Sequence, residues 1–586
     1  MAGFSFLRRS LIAPSADGMV APLRFDSALA VPIDSPDELA SMTPGFVHPL
    51  STQFNVQALA ARLCPVLLSD QSVAIFALAE HVGSDQADEL ARQIVKLGYV
   101  LANPPRYVLA APLLLAIARN QVTAQSLSGH AGQRLAQSTT ALADAFNDMV
   151  EWGVRNSASD LHLNLRLNEP ESEVKYTLSG RYLSPERFRR MPTSMLVDML
   201  SVAWMDISGG NGALFDPTIE QQGSMTRLVD GQEIMLRWAS LAADHGPSVC
   251  LRLLRREVDA SLPSLDQLGY LPDQVALIER VMLSEGGAIV FAGTVGSGKS
   301  TTLASLIAGV APSRKVITIE DPVEYLIPEA IQNTVARSLD AAAHQNYAAK
   351  LRALKRSAMS DVLLGEVRDA ETGLAFMDLA GSGVSVYTTV HAPSARLIPE
   401  RLASGFIGVP RDFLATPGIL KLLVFQALLP VLCRHCALPA QRLAEAGGQA
   451  GPVARSVQQW RSWLHLIQDL YACPVEAFRI RNPMGCSACQ RPHLPELNGY
   501  AGRTVVAETI EPALQPEFLH SLWRGGCASE HMAIRSAMEC AVFKASRGQI
   551  DPRDIEQRFH SFETERCLRD LQGVKKQSTP MLRAAS

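Results

Sequence analysis

The chain has 586 residues, 47% of them hydrophobic and 19% charged, with a formal net charge of −4. Such a length asks for roughly three or four domains, and such a composition excludes a largely disordered chain. The slight acidity argues against a general nucleic-acid binder, which needs a basic surface.

Residues 1–50 are rich in Pro, Ser, Ala and Asp and read as a poorly ordered lead-in. Arg8-Arg9 follow too short an apolar run to make a signal peptide. A small domain is expected over residues 51–122. Within it residues 72–78 read as a strand, and Ala87, Leu90, Ile94 and Leu97 recur at helical spacing. It carries no catalytic pattern, so an adaptor role is expected. Residues 123–156 read as a helical connector, and residues 157–258 as a strand-rich module opening on the alternating ASDLHLNL. Two apolar stretches are short of a membrane span. Residues 107–118 are too few and include Pro112, while residues 413–433 are interrupted by Pro417, Lys421, Gln426 and Pro430 and read as a buried helix. A cytosolic chain is therefore expected, with its ten cysteines reduced or metal-bound.

Residues 259–430 alternate strands with helices, the pattern of a mostly parallel α/β sheet. An apolar strand, residues 288–291, runs into Gly293, Thr294, Val295, Gly296, Ser297, Gly298, Lys299 and Ser300, followed by Thr301 and a helical run. This fits G-x-x-x-x-G-K-[ST] without a gap. Backbone N–H groups of such a loop close around phosphates, Lys299 reaches the β/γ-phosphates, and Ser300 is placed to ligate Mg²⁺. The alternative is a glycine-rich turn that binds nothing, and strand and helix on either side weigh against it.

Three further clusters follow at strand ends. The β-branched run 316–319 ends in Glu320, Asp321, Pro322, Val323 and Glu324. The apolar run 362–364 ends in Gly365 and Glu366, a Walker B layout with Glu in place of Asp, and residues 384–390 deliver His391. One doubly wound sheet collects all three at its ligand edge. Taken singly, the first acids could form a solvated turn, Glu366 could pair with Arg368, and His391 could be structural.

GTVGSGKSTTL, ITIEDPVEY, LLGEVRDAET and TTVHAPSA, in that order, resemble the Walker A, Asp box, Walker B and His box of the secretion ATPase superfamily. That superfamily contains the hexameric motors of type II secretion and type IV pilus assembly. SASDLHL and HGPSVCLRLL resemble the start and close of its N-terminal ATPase-associated domain, and NGYAGRTVVAETI resembles its GYKGRTGIYEVL segment. The resemblance is strong over residues 157–511 and weak over 56–120. It implies an α/β multidomain chain: a small docking domain, a PAS-like α+β domain, a RecA-like P-loop core and a Cys₄ zinc ribbon. It further implies that Glu366 holds Mg²⁺ or its water, that one of Glu320, Asp321 and Glu324 activates the attacking water, and that His391 senses the γ-phosphate. Arg237 and Arg252 match the arginines that the family donates from the preceding domain to stabilise charge.

Departures accompany the match. The Asp-Pro pair before Walker B is Met359-Ser360 here, Phe425-Gln426-Ala427-Leu428 lacks the arginine of the family's A-Q-R-L, and ASDLHL is not followed by I-E-P. A divergent member with slow turnover is expected.

Cys433, Cys436, Cys486 and Cys489 form two C-x₂-C pairs, which suit structural tetrahedral Zn²⁺ in an element over residues 431–500. The long insertion between the pairs leaves reduced surface thiols as the alternative. Cys64, Cys250, Cys473, Cys527, Cys540 and Cys567 lack such spacing. Residues 501–586 read as a helical C-terminal region. The resemblance thus implies a homo-hexameric, ATP-, Mg²⁺- and Zn²⁺-dependent motor, cytoplasmic and peripheral at the inner membrane. It would extend a pilus or pseudopilus through a membrane platform protein, without nucleic acid. A conjugative or type IV secretion motor of the same fold and a nucleotide-gated scaffold with little turnover are the alternatives.

Overall fold

The structure is a computed structural model that describes residues 25–33, 36–51, 53–54, 62–109, 111–118, 131–255, 262–335, 350–450, 453–491, 493–525 and 535–571. Residues 1–24 of the expected lead-in, residues 123–130 of the connector and Cys527 lie outside these. The chain forms two compact units, one of Met1–Phe146 with Val197–Asp206 and Asn211–Asp216, the other of the remaining residues.

The first unit holds β1 (Val31–Ile33), β2 (Phe46–Pro49), β3 (Leu63–Leu68), β4 (Ser72–Ala77) and β5 (Val100–Leu109) in the order β1-β5-β4-β3-β2. All six residues of β4 are buried, because both faces of the sheet are covered. Val73, Ile75 and Ala77 meet Ala87, Leu90 and Ile94 of the helix Asp85–Lys96, whose first turn is capped by the Ser84 hydroxyl. Ala74 and Phe76 pack instead with Leu113, Leu114 and Ile117. The lead-in reading fails here: β1 pairs in parallel with β5, and β2 pairs antiparallel with β3. Strands of three and four residues are too short to show periodicity, and ladder hydrogen bonds to neighbours fix them instead.

In the second unit, β6 (Ala158–Asn164), β7 (Glu171–Leu178), β8 (Arg181–Leu183), β9 (Met191–Pro192), β10 (Gln221–Val229), β11 (Gln232–Leu241) and β12 (Ser248–Arg255) make an antiparallel sheet in the order β10-β11-β12-β6-β7-β8, with β9 on β7. Period-two alternation buries Ile234, Leu236 and Trp238 on one face of β11 and leaves Arg237 on the other, directly opposite Arg252 of β12.

The same unit holds β13 (Ala288–Ala292), β14 (Val316–Glu320), β15 (Ala330–Thr334), β16 (Asp361–Glu366), β17 (Ser385–Val390) and β18 (Leu420–Leu432). After the short strands β19 (Leu438–Pro439), β20 (Gly448–Ala450), β21 (Val453–Arg455) and β22 (Arg479–Ile480) comes β23 (Tyr500–Ile510). The main sheet runs β15-β14-β16-β17-β13-β18-β23, parallel except for β23. Its central strands are apolar on both sides. Ala288, Val290 and Ala292 face a core that includes Phe376 and Leu379, and Ile289 and Phe291 face one that includes Leu303, Leu306 and Ile307.

Two expectations are corrected in this sheet. Residues 420–432 of the supposed buried helix are β18, whose mostly apolar run serves a strand buried between β13 and β23. The supposedly helical C-terminal region opens with β23, the edge strand of the main sheet. The cysteine element is therefore an insertion between paired strands. Leu432 and Tyr500 are register partners, so the long insertion starts and ends at one place. Among the described residues, no helix is long and apolar enough to cross a membrane.

Candidate active site

β13 delivers the loop. Gly293 has φ +150°, and a Cβ there would sit 2.4 Å from the Gln426 carbonyl oxygen and 2.6 Å from Ser297 Oγ. Gly298, at φ 85° and ψ 15°, is the left-handed N-cap of the helix Lys299–Ala308. These two glycines turn the chain so that the helix N-terminus, with its free N–H groups and positive potential, faces the loop. Lys299 Nζ donates to the carbonyl oxygens of Gly293 at 3.0 Å and Thr294 at 3.1 Å. Burial lowers its pKa, opposed by the charges of Glu366 and Glu324.

A cavity of about 290 Å³ opens over the loop. It gathers Arg237, Arg252, Val295, Gly296, Lys299 and Ser300 with Glu320, Asp321, Glu324, Glu366 and His391. Gly293, Thr294, Ser297, Gly298 and Thr301 complete the loop without lining the cavity. Thr301 Oγ1 lies 2.8 Å from the Tyr325 hydroxyl.

The acids are held differently. Glu320 Oε1 accepts from Thr318 Oγ1 at 2.6 Å and from Gln332 Nε2 at 3.2 Å, while burial pushes its carboxyl above the usual range. Asp321 is engaged by Arg237, which donates to its carbonyl oxygen at 2.9 Å and reaches its carboxylate at 3.4 Å. Glu324 has no hydrogen-bond or ion-pair partner among the described residues. Arg252 Nε donates to Asp160 Oδ1 at 3.1 Å, so Arg237 and Arg252 are both oriented by aspartates.

Glu366 sits just past a register shift in the β16–β17 ladder, and such an irregularity re-aims the following side chain. Glu366 Oε1 lies 3.0 Å from His391 Nε2. The Arg368 pairing considered from sequence is absent, since the Arg368 guanidinium lies 3.6 Å from Asp369. His391 Nδ1 lies 3.1 Å from the Gly293 carbonyl oxygen and ties this acid–histidine pair to the start of the loop.

Sequence reasoning missed the supports beneath the loop. Fully buried Gln426 donates from Nε2 to the Ser297 carbonyl oxygen at 2.8 Å and accepts from the buried Tyr270 hydroxyl. Asp160 had a signal in the ASDLHL segment, whereas Tyr270 had none.

The four cysteines of the insertion converge, their sulfurs all within 4.8 Å of one another. Cys433 and Cys486 are 3.8 Å apart, Cys436 and Cys489 3.6 Å, and Cys486 and Cys489 3.8 Å. A tetrahedron with Zn–S bonds of about 2.3 Å has sulfur–sulfur edges of about 3.8 Å, so this donor set is compatible with zinc. The N–H groups of Cys486 and Gly499 each donate to Cys489 Sγ at 3.3 Å.

The chain is 28% identical to the type II secretion system protein HxcR of Pseudomonas aeruginosa over 364 residues, 62% of this chain and 64% of that one. It is 27% identical to type II secretion system protein E of Klebsiella pneumoniae over 466 residues, 76% and 84% of the two chains. Against the type IV pilus assembly ATPase PilB of Thermus thermophilus it is 27% identical over 398 residues, 67% and 40% of the two. The chain thus spans just under two thirds of HxcR. The family described as type II/IV secretion system protein matches residues 136–534, more than half of the chain. With that span enclosing the P-loop crevice and the cysteine cluster alike, the chain belongs to the type II/IV secretion system protein family.

Proposed function

We propose that this chain is an ATP-hydrolysing motor subunit, active as a homo-hexamer, that powers type IV pilus assembly or type II secretion. It would act at the cytoplasmic face of the inner membrane through a platform protein. One observation carries the hydrolase reading: a single cavity joins Lys299, Glu324, Glu366 and His391 with Arg237 and Arg252 from a second sheet. Related chains named for type II secretion and for pilus assembly support the setting.

In this reading the loop N–H groups and Lys299 bind the phosphates. Ser300 and Glu366, both lining the cavity, would hold Mg²⁺, which when bound neutralises phosphate charge. Glu324 is the base that takes the proton of the attacking water, because Glu320 and Asp321 already serve other side chains. His391 keeps Glu366 in place and reports on the terminal phosphate through Gly293. Arg237 and Arg252 stabilise charge on the transferred group. Cys433, Cys436, Cys486 and Cys489 would hold one structural Zn²⁺, with no open position for chemistry.

The test is steady-state phosphate release across a range of protein concentrations, beside Lys299→Ala and Glu366→Gln. Turnover should rise with the oligomer fraction and fall by about 10²-fold or more in each variant. ATP binding in a verified hexamer with no turnover above the variants would overturn the motor reading.

A further inference from the structure

The carboxyl-terminal region also reaches the P-loop. The helix Pro552–Arg558 ends in an arginine whose Nη2 donates to Thr294 Oγ1 at 2.7 Å, across 264 positions of sequence. Arg181, Arg252 and Arg314 each pair with an aspartate. Half-buried Arg558 has no carboxylate within ion-pair distance among the described residues. Burial lowers its pKa, with no neighbouring acid to offset the cost. A desolvated cation without a counter-charge is unfavourable unless something else answers it.

The helix holds this arginine in place from its other end. Asp551 caps it and accepts from the backbone N–H groups of Arg553 at 2.9 Å and Arg481 at 2.8 Å. Asp554 accepts from the Tyr500 hydroxyl at 2.9 Å. Arg558 is thus carried on an anchored helix rather than a loose tail.

Thr294 follows Gly293, whose carbonyl oxygen accepts from Lys299 Nζ and lies beside His391 Nδ1. The start of the loop is therefore where the groups assigned to the terminal phosphates converge. A neutral hydroxyl is a weak acceptor for a guanidinium. An anionic phosphate oxygen forms a charge-assisted hydrogen bond about twice as strong.

The geometry points to Arg558 as a further phosphate-contacting residue, which exchanges the Thr294 hydroxyl for an anionic oxygen of the triphosphate and so favours ATP over ADP. This rests on the ATP-site reading above and goes beyond it in assigning nucleotide preference to the helix Pro552–Arg558. The test is equilibrium binding of ATPγS and of ADP, each with Mg²⁺, to the full chain and to Arg558→Ala and Arg558→Lys, beside a melting temperature for each. Arg558→Ala should weaken ATPγS about tenfold and ADP less than about threefold, and Arg558→Lys should recover most of the loss. Equal weakening of both nucleotides would mean that Arg558 only props the loop and would overturn the inference. An Arg558→Ala protein with unchanged binding overturns it too. A wild-type chain that binds neither nucleotide overturns the ATP-site reading and this inference with it.

Discussion

The P-loop crevice and the cysteine cluster are both built on β18, and they handle their polar groups in opposite ways. Midway along that strand, Gln426 supports the loop, and just past its end the backbone N–H of Cys433 donates to the Gly499 carbonyl oxygen at 2.8 Å. In the crevice the groups that matter are left partly unanswered. Lys299 hydrogen-bonds only to main-chain carbonyls, Glu324 has no hydrogen-bond or ion-pair partner among the described residues, and beside the loop Arg558 donates only to a hydroxyl. In the cluster every thiol closes on another at 3.6–3.8 Å. Unspent charge marks the place for a ligand that comes and goes; a closed set of donors marks a permanent fixture.

The sharpest way to break this contrast is to neutralise the acids of the crevice one at a time. Glu324→Gln should lower steady-state turnover by about 10²- to 10⁴-fold, the range for removing a general base, with ATP affinity nearly unchanged. Glu320→Gln should cost turnover about tenfold at most, since that carboxylate is already occupied by Thr318 and Gln332. A reversed order would move the base to Glu320 and remove the argument from free acceptors.

The cluster should respond on a different axis. Metal analysis of the purified chain should find about one zinc per chain. Cys436→Ser should lose the zinc and lower the melting temperature, because binding energy at such a site is folding energy. Its effect on ATP affinity should stay within about threefold, far below that of Lys299→Ala. A Cys436→Ser protein that kept its melting temperature but lost turnover would place chemistry at the cluster and dissolve the distinction.

How far the two regions could be read in sequence follows from how local their signals are. The P-loop is eight consecutive residues, and each later cluster sits at the end of an apolar run, so all of them were visible along the chain. What converges on them was not. Tyr270 and Gln426 meet across 156 positions and Arg558 and Thr294 across 264, and no periodicity encodes such pairs. β18 was mistaken for a helix because a run apolar on both faces looks alike in either conformation. β1 and β2 were missed because three or four residues show no period at all, and β23 because it closes the sheet after a long insertion.

Between the two regions lies Asp554, and it offers the smallest and most specific test. Its carboxyl is pushed up to about 6 by burial and by the charge of Asp551, against the Tyr500 hydroxyl, Arg181 and Arg553. A carboxyl that holds its proton more tightly when folded stabilises the fold fully below its unfolded pKa, near 4, and loses that contribution as pH rises through about 6. Between pH 5 and pH 7.5 the loss is on the order of 1 kcal/mol. Asp554→Asn, which cannot ionise, should flatten the decline in unfolding free energy across that interval by about this amount. The same substitution keeps an acceptor for the Tyr500 hydroxyl and so keeps the helix that carries Arg558. If the pH dependence of stability is identical in the two proteins, Asp554 is held ionised by Arg181 and Arg553, and the link between cluster and crevice is a salt bridge rather than a buried acid.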